Sequence, residues 1–377
     1  MSKLLMITGL GSAIDLASGK KGAFYNTLEE FHKYWERIDI ICPRINTRGT
    51  FAAKVPLVLF GNIFLHISPW PLFFHPLFFI YKILKLHGEI NFDLMTVHEF
   101  PPFYNGIGAR IISILTKIPY VLEIHHIPGY PKAGNIKEKI YRRLMSLFIR
   151  FDAKKAKAVR VVNQKETSNF LVKAGVPPEK IIYIPSAYVD LSVFKPMGLS
   201  KEYDLIFVGR LEKNKGINLL LEAASKLKIK ILNFKIIIVG SGPLENDLKF
   251  KIKNLKLQDN VLLYGWAKDS HEIAELMNRS KILVMPSYNE GGPRVVVEAL
   301  ACGVPVLATP VGLVPDLEVA VINIDWDRED IVKKVKLILD NEAEYTKLKQ
   351  GGLEIAKQFE KKETIKNYAD KLKEILG

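Results

Sequence analysis

Short apolar runs alternate with amphipathic helical patterns along this chain, and the alternation restarts once near its middle. Leu4–Thr8, Ile38–Cys42, Leu94–His98, Tyr120–Ile124, Ala158–Val162 and Ile181–Ile184 read as strands. Ala23–Glu36, Gly106–Thr116 and Gln164–Ala174 read as helices between them. Strands joined through helices form βαβ units, and a run apolar on both faces belongs in a parallel sheet covered on both sides. Pro196 and Gly198 break the pattern at Phe194–Lys201. A second series follows, with strands at Leu205–Val208, Lys235–Val239, Val261–Tyr264, Ile282–Met285, Val306–Thr309 and Val321–Ile324. Its helices are Ile217–Leu227, Leu244–Asn254, His271–Asn278, Arg294–Ala301 and Arg328–Asn341. The expectation is an α/β chain of two doubly wound lobes, residues 1–197 and 201–361, with a last helix in 362–377 that packs back on one of them, the first lobe being the candidate. Ligands of such sheets bind outside the carboxyl ends of the strands, so a cleft between the lobes is the expected site.

Composition narrows the class. With 377 residues, 48% of them hydrophobic, the chain can bury two cores, which excludes wholesale disorder. Cys42 and Cys302 alone make neither a disulfide framework nor a four-ligand zinc site, and suit a reducing cytosol. No solenoid-length repeat is visible. The net charge is +14, and it is uneven: through Ser200 there are 26 Lys/Arg against 14 Asp/Glu. The first lobe therefore faces something anionic (a lipid surface, a phosphorylated substrate or nucleic acid), unless the lysines only solvate its helices. Nucleic acid is the weakest of these, because no recognition motif accompanies the charge.

Val55–Tyr81 carries no Asp, Glu, Lys or Arg. Its length would span a bilayer, but Pro56, Pro69, Pro71 and Pro76 would leave broken backbone hydrogen bonds in lipid. Phe60, Phe64, Trp70, Phe73, Phe74, Phe78, Phe79 and Tyr81 crowd the same stretch, with Lys82 and Lys85 next. Asn135–Lys157 adds a basic amphipathic pattern. Two readings stay open: monotopic binding to anionic lipid, or apolar packing into the protein's own core. The chain start reads as a buried strand and not as a signal peptide.

Three strand-to-helix loops carry the chemistry. Gly209-Arg-Leu-Glu-Lys-Asn-Lys-Gly216 sets two cations, Arg210 and Lys215, between glycines that allow close backbone approach. Arg grips phosphate oxygens as a fork and Lys acts as a point charge, so a pyrophosphate at the following helix start is the natural ligand. A solvated basic turn is the plainer reading. Gly240-Ser-Gly242 is a second glycine turn, weak by itself. In Pro286-Ser-Tyr-Asn-Glu-Gly-Gly-Pro-Arg-Val-Val-Val-Glu298, Glu290 lies in the loop, and Gly291, Gly292, Pro293 and Arg294 lead into the helix bearing Glu298. A carboxylate beside a helix start can accept from sugar hydroxyls, or Glu290 only caps the helix.

This last segment resembles the E-x7-E signature of the group 1 retaining glycosyltransferases, and the resemblance extends over essentially the whole chain. It implies the GT-B fold, two Rossmann-like lobes around an interdomain cleft, with a nucleotide-sugar donor (UDP- or GDP-linked) on the second lobe. Glu298 matches the carboxylate that holds the ribose, Glu290 the one beside the donor sugar, and Arg210 and Lys215 the pair that stabilises the leaving diphosphate. Gly209, Gly240, Gly291, Gly292, Pro293 and Arg294 match donor-site positions. In the first lobe, Gly19-Lys-Lys-Gly22 lies where the family has its glycine loop, with Gly22 near the donor phosphate. His125 matches the active-site histidine that orients the donor sugar, and His98 a strand-end histidine on the acceptor side. Cations and helix N–H groups aimed at developing negative charge need no metal, so no metal and no cofactor is expected, and no Asp-x-Asp metal-binding pair is expected in either lobe.

Two departures stand out. Ser186-Ala187 replaces the usual Asn-Gly of the hinge turn, and Asp316 stands where the family commonly has Glu, which puts that contact in doubt. The implied activity is retaining, metal-independent transfer of a sugar to a hydroxyl acceptor. The aromatic, basic first lobe points to a lipid-linked glycan acceptor and to peripheral association with the cytoplasmic face of a membrane. The rivals are a related enzyme on the same scaffold, such as a nucleotide-sugar epimerase or phosphorylase, and a non-enzymatic membrane or polyanion binder.

Overall fold

A computed structural model describes residues 2–17, 22–44, 58–101 and 103–376. Its first lobe runs β1 (Lys3–Ile7), α1 (Leu10–Ala17), α2 (Ala23–Phe31), β2 (Arg37–Cys42), β3 (Val58–Leu59), β4 (Ile63–Ile67), α3 (His75–His87), β5 (Leu94–His98), α4 (Asn105–Thr116), β6 (Tyr120–Ile124), α5 (Ile136–Ala153), β7 (Ala158–Val161), α6 (Glu166–Lys173) and β8 (Ile181–Tyr183). The second runs β9 (Tyr203–Val208), α7 (Ile217–Lys230), β10 (Ile236–Val239), α8 (Glu245–Asn254), β11 (Val261–Gly265), α9 (Ser270–Asn278), β12 (Ser280–Met285), α10 (Arg294–Ala301), β13 (Val306–Ala308), β14 (Val321–Asn323), α11 (Arg328–Leu339) and α12 (Glu342–Lys357), before α13 (Lys361–Glu374).

The described strands form an eight-stranded sheet, β3-β4-β2-β1-β5-β6-β7-β8, and a six-stranded sheet, β11-β10-β9-β12-β13-β14. Every pairing is parallel except β3 with β4. Parallel strands need both faces covered, and residue alternation supplies this. Leu5 and Ile7 enter one core and Leu4 and Met6 the other, just as Leu205 and Phe207 face away from Ile206. Strand order reverses between β1 and β5 in one sheet and between β9 and β12 in the other. Those two switch points are where such sheets open a crevice, and they are where His98 and the loops after Val208 and Met285 emerge.

The crossover begins earlier than Pro196 and Gly198 indicate. Ala187, Val189 and Phe194 already sit in the second lobe's core. The chain returns beside this point, where Val189 donates to the Phe359 carbonyl (2.8 Å) and Lys361 to the Val189 carbonyl (2.9 Å). Helix α13 then packs on the first lobe, burying Ile365, Tyr368, Ala369 and Leu372 with Leu28 and Phe31. The Tyr368 and Phe31 rings stack at 4.7 Å.

The described part of the uncharged stretch is divided between core and surface. Ile63 and Leu65 of β4 and Phe78, Phe79, Ile83 and Leu86 of α3 are buried. Trp70, Phe73, Phe74, Leu77, Tyr81 and Leu84 are exposed, next to Ile111, Ile114 and Leu115 of the adjoining α4. Among the described residues no helix is long and apolar enough to cross a membrane.

Candidate functional site

The second lobe's loops are joined by their backbones. Gly209 donates to the Val239 carbonyl and Leu211 to that of Ser241, both at 3.0 Å. Gly240 holds φ +138°, and a Cβ there would stand 1.9 Å from the Gly209 oxygen. Its glycine is thus required by a neighbouring loop. Gly216, at φ +69°, is pressed in the same way on the Pro286 carbonyl oxygen, while the Asn214 carbonyl accepts from the Tyr288 N–H at 2.7 Å. These contacts bring the loop after β9 against the loop after β12.

That junction assembles part of the expected set. Lys215 Nζ lies 2.6 Å from Glu290 Oε1, and Ser287 Oγ donates to the same oxygen at 2.8 Å. The carbonyl of Ser287 accepts from Thr309 Oγ1 and Trp326 Nε1, which fixes the bed beneath the pair. Arg210 stands apart: it is exposed and pairs with Glu212 at 3.1 Å. Glu298, on α10, is largely buried with Arg294 Nη2 at 3.7 Å. Burial pushes its carboxyl up, and the Arg294 guanidinium offsets part of that. Arg294 also lies 4.2 Å over the Tyr188 ring, and Pro293 occupies the N-cap of α10 with no side-chain cap.

In the first lobe, His98 ends β5 and His125 follows β6, with ring centroids 4.3 Å apart. A Cβ on Gly9 would stand 2.9 Å from His98 Nδ1, so the end of β1 also closes on this ring. Burial, then the neighbouring His125, pushes His98 well below the ordinary imidazole value and keeps it neutral. Gly22 is the N-cap of α2. The rest of the expected glycine loop, Gly19 to Lys21, lies outside the described residues.

The lobes meet at Gly291 and Gly292. A Cβ on Gly291 would fall 1.9 Å from the His125 carbonyl oxygen, and one on Gly292 2.7 Å from Ser186 Oγ. Asn163 Nδ2 donates to the Gly291 carbonyl (3.2 Å). The Glu290 loop is thereby set directly on the His125 turn. The altered hinge turn is part of this contact. Asp316 accepts from the backbone N–H groups of Gln164 (2.6 Å) and Lys165 (3.0 Å), so in this state its carboxylate clasps the first lobe. Asn289 Nδ2 donates to Glu138 Oε2 (3.2 Å), and Lys132 Nζ lies 4.9 Å over the Trp326 ring.

Asn163, Asn289 and Lys132 escape a reading by motif, because their partners lie on the other lobe, and the motif that flags Asp316 does not reveal its interlobe partners. A signal existed for another group. Glu123 and Arg160 are single charges inside apolar strands, and the register aligns His98, Glu123 and Arg160 across β5, β6 and β7. The sequence does contain one Asp-x-Asp, Asp325-Trp-Asp327. The carboxylate of Asp327 accepts from the Glu329 N–H (2.6 Å) as the N-cap of α11, which is a structural use of that motif.

The family model described as "Glycosyl transferases group 1" matches residues 193–354, and that of "Glycosyltransferase Family 4" matches residues 24–189. An uncharacterized glycosyltransferase of Methanocaldococcus jannaschii is 28% identical over 300 residues, covering 76% of this chain and 71% of the relative. The Escherichia coli UDP-Gal:alpha-D-GlcNAc-diphosphoundecaprenol alpha-1,3-galactosyltransferase is 28% identical over 246 residues, 61% of this chain and 60% of that enzyme. Among solved structures, Anabaena HepE in complex with UDP superposes with a TM-score of 0.72 at 18% identity, covering 99% of this chain and all of its own.

Proposed function

This chain belongs to the group 1 glycosyltransferases, with the GT-B fold, and from that premise we propose which transfer it performs. The reading is retaining, metal-independent transfer of a sugar from a nucleoside diphosphate-sugar to a hydroxyl of a lipid-linked glycan. The observation that carries it is the Lys215–Glu290 pair, set at the second lobe's switch point and pressed against the His125 turn of the first.

In this mechanism the bond between the sugar C1 and the diphosphate oxygen breaks, and the acceptor oxygen bonds to C1 on the same face. The acceptor's proton passes to the departing diphosphate oxygen. Lys215 holds the charge that grows on that oxygen, and Arg210 swings from Glu212 onto the outer phosphate; fixed cations in a site shielded from water lower such a barrier. Glu298 accepts from the ribose hydroxyls. Glu290, held between Lys215 and Ser287, binds the donor sugar and faces the positive charge that develops at C1. His125 orients the sugar from the opposite lobe.

Two relatives support the substrate classes. HepE is described with UDP, and the galactosyltransferase by its name takes UDP-Gal and a diphosphoundecaprenol-linked acceptor. The surface adds a reason to place the acceptor in a membrane. Helices α3 and α4 pack together with apolar residues exposed, and α4 packs in turn on α5, which exposes Lys137, Lys139, Arg143 and Arg150 beside Ile140, Leu147 and Phe151. An apolar face flanked by cations binds anionic lipid.

The test incubates the protein with UDP-Gal, UDP-Glc, UDP-GlcNAc and GDP-Man in EDTA, with a short polyprenyl-diphosphate glycan as acceptor. Proton NMR of the product reads the new anomeric bond. An α-linked product from one α-donor supports the reading. An inverted product, or transfer that requires a divalent metal, contradicts it.

A further inference from the structure

Behind His125 lies a buried polar group that the transfer chemistry above does not use. Glu123 and Arg160 occupy aligned positions on β6 and β7 and are almost wholly buried. Arg160 Nη1 donates to Glu123 Oε1 at 2.9 Å, and its remaining N–H groups reach the carbonyls of Ile184 and Pro185, each at 3.2 Å. Tyr368 of α13, which the chain carries back from beyond the second lobe, donates its hydroxyl to the same Oε1 at 2.5 Å. The Arg160 guanidinium lies 3.7 Å over the Tyr368 ring. A buried ion pair is costly to desolvate and weak evidence for stability, so this investment calls for another explanation.

The second carboxylate oxygen supplies it. Oε1 has two donors, while Oε2 faces His125 Nε2 at 3.7 Å. That nitrogen is buried and, among the described residues, has no hydrogen-bond partner. Glu123 and His125 are two residues apart on an extended chain, so their side chains leave on the same side. Beside them is a small cavity of about 80 Å³, lined in part by Ser186 and Tyr188 of the hinge, which leaves the imidazole room to move.

We propose that Glu123, anchored by Arg160 and by Tyr368 of the C-terminal helix, is a positioning residue that takes the Nε2–H of His125 and leaves Nδ1 as the nitrogen turned to substrate. An imidazole's tautomer is set by the hydrogen bond its other nitrogen makes. The other titratable groups near the ring are compatible with this. His98 is neutral, Tyr368 is pushed well up by burial and by Glu123, Arg160 is held charged, and His126 is exposed. Burial alone would raise Glu123, but the Arg160 charge and the Tyr368 hydrogen bond hold it well below the usual carboxylate range, so it stays an acceptor. Helix α13 thereby joins the far end of the chain to the catalytic ring.

The proposal rests on His125 lying at the donor sugar, and its test separates the two ideas. Nitrogen-15 NMR of histidine-labelled protein, assigned with His125→Gln, reads the tautomer of His125 without any substrate. Wild type is expected to carry the proton on Nε2. In Glu123→Gln the amide can donate to Nε2 and drive the proton to Nδ1, as the wrong tautomer follows from an amide in a hydrolase triad. Transfer should then fall about 100-fold or more in kcat with donor KM within about twofold. If Glu123→Gln does not fold, Tyr368→Phe keeps the ion pair and removes one anchor. It should move the His125 titration and lower kcat severalfold, with an unchanged Tm showing that the fold persists. A His125 tautomer and titration identical to wild type in either folded variant would overturn the proposal. A tautomer change in a protein that transfers no sugar would uphold the positioning and overturn the reaction assigned to it.

Discussion

Lys215 Nζ and Glu290 Oε1 stand 2.6 Å apart, each side chain less than one-fifth exposed, at the point where the second lobe touches the first. Such a pair is neutral as a unit until an anion enters, when Lys215 can share its three protons between the carboxylate and the diphosphate. Substituting Lys215 by Ala removes the charge facing the leaving group. It should lower kcat about 100- to 1000-fold with a smaller change in donor KM. Steady-state kinetics with the donor varied checks this; an effect confined to KM would assign Lys215 to binding alone.

Arg210 is expected to behave differently, because it is exposed and pairs with a half-buried Glu212. Arg210→Ala should leave the Tm of the free protein unchanged. The rise in Tm given by saturating nucleoside diphosphate, worth about 2.7 kcal/mol at 100 times Kd, should shrink or vanish. Differential scanning fluorimetry in EDTA reads both quantities at once.

At Gly291 the backbones of the two lobes approach closely. Gly291→Ala would set a Cβ 1.9 Å from the His125 carbonyl oxygen, backbone against backbone, so one lobe must move. Each lobe keeps its own core, so the fold should survive while small-angle scattering reports a larger radius of gyration. Misplacement by about 1 Å can cost about 100-fold in rate, and kcat should fall on that scale. Wild-type scattering and wild-type rate together would contradict this closed arrangement.

Glu166, at the start of α6, is buried, and neither of its oxygens has a hydrogen-bond partner among the described residues. Burial, with Asp316 and Glu290 adding repulsion, raises its carboxyl from 4.5 to about 8, and the nearby Gly312 N–H offsets only part of this. A proton held more tightly in the folded state stabilises the fold fully below the unfolded value, and this stabilisation is lost as pH rises through the folded one. Glu166 therefore makes stability fall between pH 4.5 and about 8. Glu166→Gln should flatten that slope, raising Tm at pH 8.5 more than at pH 5. Parallel Tm curves for variant and wild type would contradict it.

On the first lobe, replacing Phe73, Leu77 and Tyr81 together by Ser removes exposed apolar surface and leaves the core side chains of α3 in place. Flotation with vesicles rich in phosphatidylglycerol should drop severalfold, while transfer to a short-chain acceptor in solution is kept. Retained flotation would show that these aromatics do not contact lipid.

Much of the fold was legible because parallel strands are apolar on both faces and stand out as runs. Tyr120–Ile124 and Leu94–His98 match the observed bounds. The helix α3 did not stand out: its apolar residues have no clear period, since part of them face the core and part face outward. Helix α12 is long and polar and rests few side chains in the core, so its pattern was faint. At the site, the glycine loops and Glu290 were readable because close backbone approach demands glycine at fixed spacing. The lobe contacts made by Asp316 and Asn163 were not, since each depends on a partner more than 100 residues away. At Gly240 the carbonyl of Gly209 on the adjoining loop requires glycine whatever else approaches, a constraint that the spacing of the turn does not reveal.

In the proposed function the second lobe's junction at Lys215 and Glu290 holds the diphosphate of a nucleotide-sugar. Isothermal titration calorimetry of UDP and of GDP into the protein in EDTA, repeated on Lys215→Ala, tests it most directly. One of the two nucleotides should bind at a ratio of one to one without metal and lose at least about 1.4 kcal/mol, or tenfold, in the variant. Binding of neither nucleotide, or equal binding by the variant, would contradict the account.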